Sequence, residues 1–299
     1  MSDRRVELPH SMTANTVLPG RMSEFIATVY EPLARRIARE VRSTRLPFVV
    51  GLCGPQGSGK TTIAQVLQKL LQQIALATEV LSLDDLYLTR DERSAVAQRV
   101  HPLLRTRGVP GTHDAALGLQ LLEALGRDEA VSIPTFDKAT DERRPGPQWR
   151  QSRGPVQVVL FEGWCVGAQP EPAALLVEPV NELERDLDPD GRWRRYVNKA
   201  LATEYRALFD RLNFLVLLRA PQFDAVYAWR AEQEHELRQR VEARGGDTSR
   251  LMSDAELRHF IAHYERLTKH ILKEMPSRAD AVIELDASRS SRLLLKDSG

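Results

Sequence analysis

The sequence predicts an α/β fold, built on a doubly wound and mainly parallel sheet with flanking helices. Short runs rich in Val, Leu and Ile alternate along the chain with longer segments of helical periodicity. Buried parallel strands have this composition because helices cover both faces of the sheet. The predicted strands are residues 48–53, 79–83, 156–161, 214–218 and 281–285. The predicted helices are residues 22–42, 61–76, 114–126, 194–210, 222–244 and 254–274.

A complete phosphate-loop motif stands between the first predicted strand and the helix that follows it. Residues 54–61 match G-x-x-x-x-G-K-[ST] at every position. Its glycines let backbone N–H groups approach phosphate oxygens, and the positive end of the helix lies at the same place. In this context the motif predicts a P-loop NTPase fold with a nucleotide site. The predicted nucleotide-binding residues are Gly54, Pro55, Gln56, Gly57, Ser58, Gly59, Lys60, Thr61 and Thr62.

Carboxylates follow two of the predicted strands. Asp84 and Asp85 come after the second strand, and Glu162 ends the third. The carboxyl ends of parallel strands meet at one edge of the sheet, so these groups should lie beside the phosphate loop. A carboxylate there can bind Mg²⁺ or accept the proton of an attacking hydroxyl. Because Asp also caps turns, we favour a functional role for Asp84 and Glu162 and leave Asp85 open.

The composition excludes several other classes of protein. The chain has 42 Lys and Arg residues against 41 Asp and Glu, a balance that gives no electrostatic footprint for nucleic acid. Its two cysteines, Cys53 and Cys165, form neither a metal-binding pair nor a disulfide framework. No apolar run reaches the length of a membrane span, and the N-terminus lacks the apolar core of a signal peptide. We expect a cytoplasmic protein without nucleic-acid, membrane or obligate protein partners.

Several segments around the phosphate loop resemble those of a known family. They read LSLDDLYL, RGVPGTHD, IPTFDKATDERRP, VVLFEGW, WRAEQEHELR and MSDAELRHFIAHYERLTKHIL. Together with the loop they resemble the D-glycerate 3-kinase family, which belongs to a wider group with uridine kinase, phosphoribulokinase and bacterial pantothenate kinase. The resemblance extends over residues 45–286. Plant members have Tyr-Asn-Lys where this chain has residues 136–138, a difference that bears on which acceptor fits.

The resemblance implies roles for the acidic residues. Asp84 corresponds to the catalytic carboxylate that takes the proton of the acceptor hydroxyl. Glu162 corresponds to the acidic residue that supports Mg²⁺, for which Thr61 and Asp84 are the other expected ligands. ATP and Mg²⁺ are therefore the predicted cofactors, and Lys60 should contact the β- and γ-phosphates.

The chain therefore divides into a loose lead-in, residues 1–20, and a single P-loop kinase domain, residues 21–299. Residues 86–113 and 134–155 are rich in Arg, Pro and Gly, and we interpret them as ordered functional loops. The acidic, proline-containing segment 170–192 has no counterpart in the family pattern, and we interpret it as a surface excursion.

The Arg-rich loops carry the predicted acceptor site. His113 and Asp114 can bind hydroxyl groups, and their segment matches one that lies over the acceptor in the wider group. Basic side chains can bind a small carboxylate in charge-assisted pairs, although a single arginine is more often a solvated surface residue. The basic candidates are Arg105, Arg107, Lys138, Arg143 and Arg144. The predicted acceptor-binding residues are Tyr87, His113, Asp114, Lys138 and Arg143.

A charged helix after the fourth strand predicts a lid, at about residues 222–246. Arg230, Glu234 and Arg238 are four residues apart, so they can pair with one another on one helix face. In the wider group a lid helix at this place brings arginines to the transferred phosphoryl group. We assign that catalytic role to Arg230 and Arg238 and keep mutual ion pairing as the alternative.

These features predict a kinase that transfers the γ-phosphoryl group of MgATP to a hydroxyl of D-glycerate or a similar small hydroxylated acid. Two alternatives stay open. One is a uridine- or pantothenate-type kinase with another acceptor. The other is a nucleotide-dependent switch or assembly NTPase that uses the same loop.

Overall fold

Three stretches of the chain are described by the computed structural model, namely residues 25–41, 47–243 and 251–296. The predicted lead-in, residues 1–20, lies outside the described residues, as do the first residues of the predicted 22–42 helix and residues 244–246 of the predicted lid. Within these stretches no helix combines the length and apolarity that crossing a bilayer requires.

A six-stranded sheet lies at the centre of the structure. Its five parallel strands confirm the five that the sequence predicts, with ends shifted by at most two residues. The strands of the described residues are β1 (Phe48–Cys53), β2 (Thr78–Ser82), β3 (Ala130–Ile133), β4 (Phe136–Asp137), β5 (Glu142–Arg143), β6 (Arg150–Arg153), β7 (Val158–Gly163), β8 (Phe214–Arg219), β9 (Ala281–Leu285) and β10 (Ser291–Leu295). The order in the sheet is β10-β9-β8-β1-β7-β2. The antiparallel edge strand β10 is a feature that the sequence patterns did not predict.

The register of the sheet brings the predicted functional strand ends together. β1 lies between β7 and β8, with Leu52 opposite Glu162. On the other side of β7, Ser82 at the end of β2 is also opposite Glu162. The phosphate loop, which follows β1, and Asp84, which follows β2, therefore start from the same edge of the sheet.

Helices cover both faces of the sheet, which confirms the doubly wound arrangement. The α-helices of the described residues are α1 (Glu31–Val41), α2 (Lys60–Gln73), α3 (Arg90–Arg99), α4 (Ala115–Leu125), α5 (Glu182–Leu187), α6 (Arg192–Ala202), α7 (Glu204–Phe209), α8 (Phe223–Ala243) and α9 (Asp254–Glu274). A π-helical turn, Ile26–Tyr30, precedes α1. Side chains of α1, α2 and α8 enter the core on one face, and those of α4, α7 and α9 enter it on the other. The predicted 194–210 helix is two helices, separated at Thr203.

The Arg-rich loops contain more regular structure than the sequence predicts. Residues 86–113 include α3, which begins with a capping box between Thr89 and Glu92. Apolar periodicity did not reveal α3 because its buried residues are only Arg93 and Ala97. Residues 134–155 contain β6, which pairs antiparallel with the preceding strand β3, and the short antiparallel pair of β4 with β5. These segments form an ordered cover beside the strand ends.

The interpretation of residues 170–192 as a surface excursion is wrong in one respect. Glu184 is buried and binds the Arg266 guanidinium through both carboxylate oxygens, with Arg266–Glu184 distances of 2.7 and 2.6 Å. Asp188, also buried, receives a 3.0 Å hydrogen bond from Arg194. Because buried charges need partners, this acidic segment is packed against α6 and α9 by its own carboxylates.

Replacing Arg266 with Met should destabilise the fold strongly. The variant keeps much of the side-chain volume but leaves the buried Glu184 carboxylate without its cation, a loss of about 3–5 kcal/mol in the free energy of unfolding. Urea denaturation followed by circular dichroism measures this difference.

A matched control is Arg185→Met, because Arg185 pairs with Asp186 at the surface, where both side chains are 58% exposed. Its removal should leave the free energy of unfolding close to that of the wild type, because an exposed ion pair contributes little. Equal unfolding free energies for the two variants would contradict the stabilising role of the Arg266–Glu184 pair.

Candidate active site

The phosphate loop turns through two glycines in the left-handed region of backbone conformation. Gly57 has a φ of 78° and Gly59 a φ of 82°, values at which other residues are strained. A Cβ added at Gly57 would lie 2.6 Å from the Cβ of Trp229, which packs over the loop from α8. The loop needs glycine both to turn and to pack against the predicted lid helix.

The first turn of α2 offers its amide groups to a ligand. α2 begins at Lys60, and its N-cap residue Gly59 provides no side-chain cap. The first N–H groups of a helix have no partner within the helix. These amides and the Lys60 ammonium lie where the motif places the phosphates of a nucleotide, so the residues fit a polyphosphate.

Glu162 joins the phosphate loop to the neighbouring strand. It is only 3% exposed, and its Oε1 atom accepts hydrogen bonds from Thr61 Oγ1 at 3.0 Å and from Ser82 Oγ at 2.9 Å. Hydroxyl and carboxylate oxygens suit Mg²⁺, whose remaining ligands in such sites are water and substrate phosphates. Thr61 and Glu162 therefore fit the predicted metal ion.

Asp84 lines a cavity beside the phosphate loop, and both of its carboxylate oxygens have partners. Tyr87 donates its hydroxyl to Oδ1 at 3.2 Å, and the Lys138 ammonium lies 2.6 Å from Oδ2. Burial raises the pKa of Asp84, but the charges of Lys138 and Lys60 outweigh it and lower the pKa to about 2. The carboxylate is therefore ionised and hydrogen-bonded at neutral pH.

Asp85 is next to Asp84 in the chain, but its side chain has different contacts. Its Oδ1 atom accepts a hydrogen bond from the backbone N–H of Phe136 at 3.0 Å, which attaches β4 to the end of β2. Its side chain does not line the cavity that contains Asp84. The structure thus separates the two neighbouring carboxylates, because Asp84 faces the cavity and Asp85 faces the backbone of β4.

A cavity of about 480 Å³ connects the phosphate loop, Asp84 and the predicted lid helix. Its basic lining residues are Lys60, Arg107, Lys138, Arg230 and Arg240. Its aromatic lining residues are Tyr87, Trp164, Phe260 and Tyr264. Among the described residues, the lining has five basic side chains but only two acidic ones, Asp84 and Glu236. Because of this excess of positive charge, the cavity suits anionic ligands.

The two predicted lid arginines have different surroundings. Arg230 lines the cavity and binds Glu234 across one helical turn, with an Nη2–Oε2 distance of 2.8 Å. Arg238 does not line the cavity, and its Nη2 atom donates to the backbone oxygen of Met252 at 3.1 Å. The structure places Arg240 in the lining instead, two residues further along α8. Helical spacing alone did not predict which of these arginines line the cavity.

The predicted acceptor residues divide into two groups. Tyr87 and Lys138 line the cavity, and His113 lies behind Tyr87 with its ring stacked on the Tyr87 ring at 4.3 Å between centroids. Asp114 caps α4 by accepting from Leu117 N–H at 2.9 Å, and its side chain is outside the lining. Arg143 is also outside the lining and donates to the backbone oxygen of Tyr87 at 2.8 Å.

Arg107, one of the basic candidates from the Arg-rich loops, lines the cavity, while its guanidinium pairs with Asp141 and lies over the Phe136 ring. The lining also contains two aromatic residues that the motifs did not single out. Trp164 follows the FEG segment directly, and that position was the available signal. Tyr264 lies on α9 and packs edge-on against Trp164, a contact between residues 100 positions apart that no local pattern reveals.

Comparisons with known proteins agree with this architecture. Residues 49–170 match the family described as phosphoribulokinase / uridine kinase. The chain is 33% identical over 246 residues to an uncharacterized kinase of Schizosaccharomyces pombe, covering 79% of this chain and 85% of that protein. It is 30% identical over 262 residues to the chloroplastic D-glycerate 3-kinase of Arabidopsis thaliana, covering 82% of this chain but only 54% of the relative.

A solved structure of a relative is similar to this chain over almost its whole length. The D-glycerate 3-kinase of Cryptococcus neoformans superimposes with a TM-score of 0.73 and is 27% identical to this chain. The match covers 93% of this chain and 100% of that one. The similarity thus extends over the phosphate loop, the acidic strand ends and the helices around them.

Replacing Lys138 with Met should raise the pKa of the Asp84 carboxyl group. The wild-type pKa is lowered from 3.8 to about 2, so Asp84 stabilises the fold at neutral pH and loses this effect as the pH falls through about 2. Without the Lys138 charge, the desolvation of the carboxylate raises the folded-state pKa back toward 3.8, so the stabilisation at neutral pH becomes smaller. Carboxyl-carbon NMR titration of Asp84 measures the change.

The matched control is Lys138→Arg, which keeps the positive charge and should leave the pKa of Asp84 lowered. An Asp84 pKa that is the same in Lys138→Met as in the wild type would contradict the pairing.

Proposed function

The chain belongs to the phosphoribulokinase / uridine kinase family, and from this membership we propose that it is an ATP-dependent kinase for a small hydroxylated acid. The reaction transfers the γ-phosphoryl group of MgATP to a hydroxyl of D-glycerate or a similar compound. The D-glycerate 3-kinases among its relatives support this choice of acceptor.

One observation carries the proposal. A single cavity contains the phosphate-loop residues Lys60 and Thr61, the carboxylate of Asp84, and two further cations, Arg107 and Lys138. Phosphoryl transfer requires the nucleotide and the acceptor hydroxyl to be held in line in one protected space. The extra cations at the Asp84 side of the cavity favour an acceptor that carries its own negative charge.

The nucleotide half of the site consists of α2 and the end of β7. The N-terminal amides of α2 and Lys60 would bind the β- and γ-phosphates. Thr61 and Glu162 would hold Mg²⁺, which when bound neutralises charge on the β- and γ-phosphate oxygens. Ser82 keeps the Glu162 carboxylate oriented through its hydrogen bond to Oε1.

The acceptor half of the site depends on Asp84. Its carboxylate would bind the acceptor hydroxyl and orient the oxygen toward the γ-phosphorus. It would take the proton as the new P–O bond forms and the bond from the γ-phosphorus to the bridging oxygen of the departing ADP breaks. Lys138 must then give up Oδ2 of Asp84, and it can move because its side chain is 62% exposed. An acidic acceptor offers Lys138 a carboxylate in exchange, whereas a neutral acceptor does not.

The predicted lid helix, α8, supplies cations to the phosphate side of the cavity. Arg230 lies in the lining, held by the buried Glu234, and can turn toward the negative charge of the transferred phosphoryl group. Arg240 lies in the same lining. Arg238, which the sequence assigns to this role, would instead stabilise the contact of α8 with Met252.

Purified protein with MgATP should phosphorylate D-glycerate in preference to other acceptors. The cations on the Asp84 side of the cavity favour an acceptor with a carboxylate over a neutral alcohol. The D-glycerate 3-kinases among the relatives favour glycerate over pantothenate, which is also a carboxylate. A coupled assay of ADP formation, with product identified by ³¹P NMR, compares D-glycerate with glycerol, uridine and pantothenate. A preference for uridine or pantothenate would contradict the proposed acceptor, and ATP hydrolysis without any phosphorylated product would contradict the kinase reaction.

Asp84→Asn should abolish transfer while leaving nucleotide binding intact. The amide keeps the size of the side chain but cannot accept the proton, so kcat should fall by about 10²- to 10⁴-fold. Fluorescence titration with a labelled ATP analogue measures nucleotide affinity separately from turnover.

The adjacent Asp85→Asn change is the matched control. Its amide oxygen can still accept the Phe136 N–H bond, so kcat should stay near that of the wild type. Equal kcat values for Asp84→Asn and wild type would remove Asp84 as the base.

A further inference from the structure

The hydroxyl of Tyr205 is the centre of a buried hydrogen-bond cluster behind the acceptor side of the cavity. Tyr205 is on α7 and is 1% exposed. Its oxygen lies 3.0 Å from the backbone N–H of Gly111, 3.3 Å from that of His113, and 2.6 Å from the Nδ1 atom of the His113 ring. One side chain thus contacts both the backbone and the ring of the loop that carries His113.

The number of donors and acceptors fixes the direction of these hydrogen bonds. A phenol has one O–H donor and two acceptor lone pairs. The two backbone N–H groups can only donate, so they occupy the lone pairs of the Tyr205 oxygen. The Tyr205 O–H must then donate to His113 Nδ1, and a neutral His113 ring carries its proton on Nε2.

Both partners keep these protonation states over the ordinary pH range. Burial lowers the pKa of His113 to about 3, so the ring is neutral. Burial raises the pKa of Tyr205 well above its ordinary value, so the phenol keeps its proton. The donor and acceptor assignment therefore does not change near neutral pH.

His113 is coupled to the base of the proposed reaction through Tyr87. The two rings are nearly parallel, 22° apart, and Tyr87 donates its hydroxyl to Asp84. The backbones of the two segments are also joined on either side of the stack. Leu88 N–H donates to the Thr112 oxygen at 3.0 Å, and the Asp114 N–H donates to the Leu86 oxygen at 2.7 Å.

We propose that Tyr205 is a positioning residue for the proposed phosphoryl transfer, because it fixes the tautomer and place of the His113 ring and thereby the Tyr87–Asp84 pair. The expected effect of Tyr205 on catalysis rests on the proposed function, whereas its effect on the His113 ring does not. In the other tautomer, Nδ1 of His113 would carry a proton and become a third donor to the Tyr205 oxygen, which has only two lone pairs. One of the backbone N–H groups of Gly111 and His113 would then lose its hydrogen bond to Tyr205. The stack that orients Tyr87 would then lose its support.

The fixed tautomer has a second consequence. His113 is 5% exposed, and its Nε2 atom has no hydrogen-bond partner among the described residues. Buried N–H donors are rarely left unpaired. The ring therefore keeps a buried N–H beside Tyr87, while Tyr205 occupies the opposite nitrogen.

Nitrogen-15 NMR of the histidine side chains tests the tautomer without any substrate. Protonated and bare ring nitrogens resonate far apart, and a His113→Gln variant identifies the His113 signals. We expect wild-type His113 to be the pure Nε2–H form and Tyr205→Phe to show a mixture of tautomers. A wild-type Nδ1–H ring, or an unchanged tautomer in Tyr205→Phe, would overturn the proposal.

The positioning of Asp84 is tested on the same samples. Loss of the hydroxyl should shift the carboxyl-carbon signal of Asp84 and lower kcat by about ten- to a hundredfold, while the dissociation constant for ATP stays unchanged. Tyr196→Phe is the matched control, since the Tyr196 ring packs against Gly111 of the same loop and its hydroxyl makes no hydrogen bond within the described stretches. A Tyr205→Phe enzyme with wild-type kcat and an unshifted Asp84 signal would overturn the positioning role.

These readouts separate the proposal from the identity of the acceptor. If D-glycerate is not a substrate, turnover is absent in wild type and variants alike, whereas the His113 tautomer and the Asp84 carbon signal still give their answers. If D-glycerate is a substrate, a loss of kcat in Tyr205→Phe without a change in the His113 tautomer would overturn positioning through the His113 ring.

Discussion

The buried carboxylate of Glu162 is the constraint on which the site depends. It accepts hydrogen bonds from Thr61 on α2 and from Ser82 at the end of β2, while its own backbone continues β7. A buried charge without such donors would be costly, so the three elements are held at one point. The sheet register brings these ends to the same edge, and the two hydrogen bonds align the phosphate loop with the segment that carries Asp84.

Charge balance shapes the cavity beyond this point. Lys138 pairs with Asp84, and Glu234 pairs with Arg230, so these two lining residues have partners before any ligand arrives. Such pairs reduce the repulsion among the five cations of the lining, and they can exchange partners when anionic ligands enter. The exposed Lys138 can move more easily than the buried Glu234, so the Lys138–Asp84 pair is the one that can rearrange during the proposed reaction.

The central features of the fold could be predicted from sequence because they depend on local patterns. Apolar runs mark the five parallel strands, and the loop motif marks the start of α2. The choice among side chains of the Arg-rich loops could not be predicted, since Arg107 faces the cavity and Arg143 supports the backbone through contacts that only folding brings together. Helix α3 has too few buried apolar residues for periodicity to reveal it, and the Tyr205–His113 bond joins residues 92 positions apart.

A crystal structure with Mg²⁺, a non-hydrolysable ATP analogue and D-glycerate tests the central claim most directly. We expect a glycerate hydroxyl to lie about 3 Å from the Asp84 carboxylate and in line with the γ-phosphorus, with the Thr61 hydroxyl bound to the metal ion. Lys138 should have left Asp84 for the glycerate carboxylate. Glycerate bound away from Asp84, or a metal ion held without Thr61 and Glu162, would contradict the proposed mechanism.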